Sequence, residues 1–118
     1  MAFDWREYLN VAEFLRGRKS DCTQEAAYRC AVSRAYYAAF CHARNYARDR
    51  LTLKPTYSHR DHELVRIHFR NCRMPNIDLK LRQLSKWRNT CDYDDTIRNI
   101  SLMPAFAISE AQQVIDML

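Results

Sequence analysis

A chain of 118 residues, 47% hydrophobic and 28% charged, is long enough to form one domain with its own core and needs neither disulfides nor metal. One glycine and three prolines are too few turn formers for a sheet protein, so the composition points to helices. The net charge of +5, from 15 arginines and four lysines, favours an anionic partner such as RNA, DNA or an acidic protein surface, although the arginines do not gather in one run.

The first helix is predicted from Asp4, read as its N-cap, with Glu7 as the reciprocal residue of a capping box and Phe3 and Tyr8 as a hydrophobic staple. Trp5, Tyr8, Ala12 and Leu15 step along one face, and Gly17 is read as a stop in the left-handed region. Arg16 to Ser20 reads as a basic connector. The second helix is expected from near Asp21, with Gln24 at its third position, to about Leu51. It carries apolar residues on two faces: Ala27, Cys30, Ala31, Ala38 and Cys41 on one, Ala26, Val32, Tyr36 and Phe40 on the other. A helix with so little polar surface is central.

Pro55 falls in the following loop. A third helix is predicted over about Ser58 to Asn71, with Leu64, Val65, His68, Phe69 and Cys72 facing inward. Pro75 marks a break before a fourth helix, Ile77 to Thr90, carried by Ile77, Leu81, Leu84 and Trp87. Pro104 sits in the first turn of the last helix, whose buried stripe is Ala107, Ala111, Val114 and Leu118. The expected architecture is all-α: one domain over residues 1–118, an antiparallel up-and-down bundle of four to five helices.

The cysteines at 22, 30, 41, 72 and 91 include no Cys-x-x-Cys pair and fit reduced thiols in a cytoplasm. The chain opens on a charged amphipathic helix, and no apolar run is long enough to span a membrane, so the expected setting is cytoplasmic, away from membranes.

Arg88 continues the apolar seam Ile77–Leu81–Leu84 by one more helical step, and Asp92 lies a turn further. A guanidinium on an apolar seam needs a carboxylate, a phosphate or a facing subunit. An Arg88–Asp92 ion pair at i,i+4 is the plain reading. Tyr93 stands beside Asp92, Asp94 and Asp95, an acidic helix end that reads as a solvated cap. Arg34 and Tyr37 are i,i+3 neighbours able to share a cleft with Arg88. The alternative is Tyr37 in the core with its hydroxyl bonded and Arg34 paired to a carboxylate. His59 and His62 lack a third ligand for a metal, and they read as polar residues at a helix start.

Ser33-Arg34-Ala35-Tyr36-Tyr37-Ala38-Ala39-Phe40 followed by Ala43-Arg44, a histidine-bearing start to the third helix, and Arg88-Asn89-Thr90-Cys91-Asp92-Tyr93 together resemble the HEPN (higher eukaryotes and prokaryotes nucleotide-binding) family. The resemblance covers about Tyr28 to Tyr93. It implies a two-fold homodimer acting on RNA or nucleotides, as a toxin–antitoxin or defence component, with no cofactor and no metal. Active members of that family cut RNA without metal, with an arginine, a polar residue and then a histidine after four to six intervening residues. Arg88 and Asn89 match the first two, while Tyr93, Asp94 and Asp95 occupy the positions where the histidine would stand. The implied catalytic set is Arg88, Asn89 and Tyr93, and the implied binding set is Arg34, Tyr37 and Asp92. The alternative is a non-catalytic nucleotide-, RNA- or protein-binding subunit paired with a small nucleotidyltransferase, for which Tyr93 would be the modified residue.

Overall fold

The computed structural model describes residues 2–17 and 22–118. Five helices follow in order: α1 (Glu7–Arg16), α2 (Gln24–Arg50), α3 (Asp61–Asn71), α4 (Pro75–Tyr93) and α5 (Met103–Met117), with a 3₁₀ turn at Ile100–Leu102 before α5. No strand occurs among the described residues. The second-helix start expected at Asp21, and most of the expected basic connector, lie outside the described residues.

Helix α2 touches all four other helices, and its composition explains why. Ala27, Ala31, Ala35, Ala38, Ala39, Ala43 and Ala47 are all buried. Alanine is the best helix former and adds almost no width, so neighbouring helices close on it from several sides. Two residues expected inside, Ala26 and Cys30, are exposed, because α2 starts later and its first turns lie at the edge of the bundle. Thr23 is its N-cap: the Thr23 hydroxyl accepts the Ala26 N–H at 3.2 Å. Gln24 is therefore the first helical residue rather than the third.

The start of α1 also differs from the capping-box expectation. Asp4 Oδ1 accepts the backbone N–H of Arg6 at 3.0 Å, and its carboxylate also holds the Arg6 guanidinium, so regular helix begins only at Glu7. The staple residues do meet, with Phe3 and Tyr8 ring centroids 5.5 Å apart and Trp5 edge-on to both. Gly17 closes α1 at φ −88°, in the right-handed region, so its stop does not depend on the left-handed conformation.

In α3, Val65 and Phe69 are fully buried while Leu64 is exposed, so the inward face is narrower than the apolar pattern suggests. Pro75 opens α4 at its first turn instead of breaking the chain before it, as its missing N–H permits. Ile77, Leu81 and Leu84 are buried as the periodicity predicts. Helix α4 ends under an arginine from α2: the Arg29 guanidinium donates to the carbonyls of Cys91 (3.0 Å), Asp94 (2.7 Å) and Asp95 (3.3 Å). These are carbonyls that a helix end leaves without partners. Lys80 ties α4 to α5 through Glu110 at 3.0 Å and Gln113 at 2.7 Å.

Candidate functional site

The last turns of α4 bring Arg88 against the Tyr36 and Tyr37 rings of α2. Its side chain is only 14% exposed. The guanidinium carbon lies 5.3 Å from the Tyr36 ring centre and 5.5 Å from that of Tyr37. A guanidinium over an aromatic face is attracted by about 0.5–2 kcal/mol, more as water is excluded. Arg88 Nη1 also reaches Asp92 Oδ2 at 3.4 Å, while its buried Nε has no hydrogen-bond partner. The charge on the seam is thus held by two rings and one long ion pair.

Of the residues named from the sequence, Arg34, Tyr37, Arg88 and Asp92 converge. Arg34 lies over Tyr37 at 5.1 Å and over Tyr8 at 4.9 Å. It lines a hollow of about 660 Å³ together with Asp92. Among the described residues Arg34 meets no carboxylate, and its one hydrogen bond is a 3.5 Å contact to Ser33 Oγ. Asn89 and Tyr93 do not join this group. At 3.6 residues per turn they are rotated from Arg88 by about 100° and 140°, whereas Asp92 is rotated by only about 40°. Asn89 is exposed, and Tyr93 is 74% exposed.

Arg34 and Tyr37 also form the edge of a second hollow, a groove of about 600 Å³ between the start of α1, the middle of α2 and the loop into α3. Its walls are aromatic (Trp5, Tyr8, Tyr37, Phe40 and Tyr57), and its polar groups include the guanidiniums of Arg34 and Arg44 and the imidazoles of His59 and His62. Arg44 lies over Trp5 at 5.7 Å and Tyr57 at 5.3 Å. The loop wall is held by Asp61, which is buried at the start of α3. Its carboxylate accepts from the Thr56 N–H and hydroxyl and from the Tyr57 N–H, at 2.6–2.9 Å. Burial alone would raise the Asp61 pKa, but these bonds outweigh it and hold the carboxyl below its usual range. They also offset the cost of the left-handed backbone at Tyr57, φ 55°, which turns this residue into the groove wall.

The sequence reading missed the partnership of Tyr36 and His62. Tyr36, and not Tyr37, is the fully buried tyrosine with a bonded hydroxyl; it is 1% exposed and its hydroxyl meets His62 Nδ1. The His62 ring stacks on Phe40 with centroids 4.4 Å apart and lines the groove. Tyr36 was legible as core from its spacing with Val32 and Phe40, and a buried tyrosine hydroxyl demands a polar partner. Which histidine supplied it depended on how α3 is docked.

Burial, and then the neighbouring Arg88, push the His62 pKa below its usual value. Burial pushes the Tyr36 hydroxyl up, against the pull of Arg88. Near neutral pH this pair is therefore a protonated phenol and a neutral imidazole. When Tyr36 donates to Nδ1, Nε2 carries the hydrogen and can donate to an oxyanion. When Nδ1 carries the hydrogen and donates to the Tyr36 hydroxyl, Nε2 is bare and can take a proton.

Among the described residues no cluster of three or more His, Cys, Asp or Glu is placed to hold a metal ion, and no helix is long and apolar enough to cross a membrane. The arrangement offers guanidiniums, aromatic faces and two imidazoles, which suits an anionic ligand with flat rings. No protein-family model matches the chain, and neither a curated protein nor a solved structure matches it.

Proposed function

We propose that this chain is a HEPN-like, up-and-down helical subunit that binds RNA or its nucleotides in the aromatic groove, as one half of a two-fold dimer in a toxin–antitoxin or defence pair. The supporting observation is the Tyr37 ring at the groove edge, which meets the guanidiniums of both Arg34 and Arg88, while Arg34 has no carboxylate partner among the described residues. Arg34 and Arg44 are the phosphate contacts in this reading, and the Trp5 and Tyr57 rings are stacking surfaces for bases. His62 takes the proton-handling role that the Arg88-Asn89 segment leaves vacant on its own helix.

Fluorescence anisotropy with labelled single-stranded RNA over a salt series tests the binding. Arg34→Ala and Arg44→Ala should each weaken binding about tenfold and lower the salt slope by about 0.7, the loss of one phosphate contact. Wild-type affinity in both variants removes the groove from consideration. Denaturing gels of the same mixtures test the chemistry. If the wild type cleaves RNA, His62→Ala and Arg88→Ala should both abolish cleavage, and Tyr93→Phe should leave it intact.

A second reading has one observation in its favour. The Tyr93 ring is 74% exposed at the end of α4, open to a modifying enzyme such as a partner nucleotidyltransferase. Co-expression with such a partner and intact-mass measurement decides it, since Tyr93→Phe should erase any nucleotidyl mass increment.

A further inference from the structure

The seam between α3 and α4 holds a second concentration of charge outside the groove. Asp78, in the first turn of α4, has a side chain only 5% exposed, and three guanidiniums surround it. Arg66 Nη1 lies 3.7 Å from Asp78 Oδ1, while Arg70 Nη1 and Arg82 Nη2 lie 3.9 Å and 3.6 Å from Asp78 Oδ2. These separations exceed hydrogen-bond length, and Asp78 Oδ1 has no hydrogen-bond partner. None of the three guanidiniums donates a hydrogen bond elsewhere among the described residues. Three positive charges and one negative leave the cluster at +2. Neutralising Asp78 would need only one arginine; the second and third add repulsion with no return from the fold. The heads are nonetheless open to solvent, with side chains 22%, 50% and 46% exposed for Arg66, Arg70 and Arg82. Each offers a planar fork of N–H donors whose geometry matches phosphate oxygens.

We propose that Arg66, Arg70 and Arg82 form an anion site for the phosphates of a polynucleotide backbone, so that single-stranded RNA lies along the α3–α4 seam on its way to the groove. His62, Arg66 and Arg70 follow one another at steps of four along α3, a stripe about 12 Å long at ~1.5 Å per residue. The charge of Arg66 is felt at both Tyr36 and His62, so the cluster begins where the groove ends. Asp78 keeps the three heads converged while leaving a surplus of positive charge. The inference rests on the groove being an RNA site and adds that its ligand is a chain rather than a free nucleotide.

The test is anisotropy with single-stranded RNAs of three and twelve nucleotides, each titrated across salt. The longer RNA should bind at least tenfold tighter, with the steeper salt dependence. Arg70→Gln combined with Arg82→Gln leaves Arg66 to balance Asp78, so the fold should survive, as a circular-dichroism melt will show. This double variant should lower the salt slope for the longer RNA by about 1.4, two phosphate contacts at ~0.7 each, and leave the trimer unchanged. Asp78→Asn takes the cluster from +2 to +3 and should act in the opposite sense on the longer RNA. Trimer binding that gains nothing with length, or a double variant with wild-type affinity for the longer RNA, overturns this site and leaves the groove standing. Failure of both RNAs to bind overturns the groove reading, and this one with it. A double variant that loses competition by polyglutamate but keeps its RNA affinity marks the seam as a docking face for acidic protein, which also overturns it.

Discussion

One helix, α2, has two very different sides. Toward α1, α4 and α5 it lies in extensive contact, and toward α3 it makes far less. The close-packed side is mostly alanine, with Ala31, Ala35, Ala38, Ala39 and Ala43 fully buried. Toward α3, Tyr36, Tyr37 and Phe40 hold the partner helix off, and the space left is lined by rings, two arginines and His62. Small residues let backbones close, whereas large amphipathic ones leave a groove with polar tips inside it. The comparison shows how a single helix supplies both the stability of the bundle and the wall of its candidate site.

The sharpest way to break the comparison is to cut into the close-packed side. Leu84, fully buried on α4, should cost about 2–5 kcal/mol as Leu84→Ala, read from the urea midpoint at unchanged slope. On the open side, Tyr36→Phe keeps the ring and removes only the hydroxyl. It leaves His62 Nδ1 without its partner, at a cost of about 1–3 kcal/mol. A Tyr36→Phe protein as stable as wild type would mean that the Tyr36–His62 contact is incidental, and the proton role assigned to His62 would go with it.

Acid should act on the open side in particular. Burial, then Arg88, lowers the His62 pKa, and burial, then Arg6, lowers that of His42, whose buried Nε2 has no partner. A histidine with a folded pKa below its unfolded value of about 6.5 leaves the unfolded chain holding more protons in that window. The stability from keeping both rings neutral is therefore full above about pH 6.5 and is lost as pH falls below it. Urea midpoints at pH 7.5, 6.0 and 5.0 should fall in that order. His62→Gln should flatten part of the decline and His42→Gln another part. In Arg88→Ala the His62 ring should titrate at higher pH by NMR, since a nearby positive charge has been removed.

The sequence carried the bundle well, because alanine density and apolar steps of three and four survive any docking. Ile77, Leu81 and Leu84 are buried, and Arg88 follows them inward, as their spacing requires. The candidate site was only half legible. Arg34, Tyr37, Arg88 and Asp92 share faces that helical spacing reveals, whereas Asn89 and Tyr93 are neighbours of Arg88 in sequence and lie around the helix from it. His62 reaches the groove through the docking of α3, which no spacing within one helix encodes, whereas Arg44 lies in helical step with Arg34, Tyr37 and Cys41 on α2. The three arginines about Asp78 come from two helices and were invisible for the same reason.

The smallest effect is expected at Gly17, and there the two ways of reading glycine part company. Read as a left-handed stop, Gly17→Ala should cost stability, since L side chains rarely tolerate that backbone. In the structure Gly17 sits at φ −88°, and an added Cβ would meet only the Phe14 and Glu13 carbonyl oxygens at 3.8 Å and 3.9 Å, ordinary contact distances. Alanine there restricts the unfolded chain more than the folded one, so Gly17→Ala should stabilise by about 0.4–1 kcal/mol. A loss of similar size in the urea midpoint would mean that α1 ends in the left-handed form after all. It would also loosen the placement of Trp5 and Tyr8, because the helix whose N-terminal end carries them to the groove would be anchored differently at its other end.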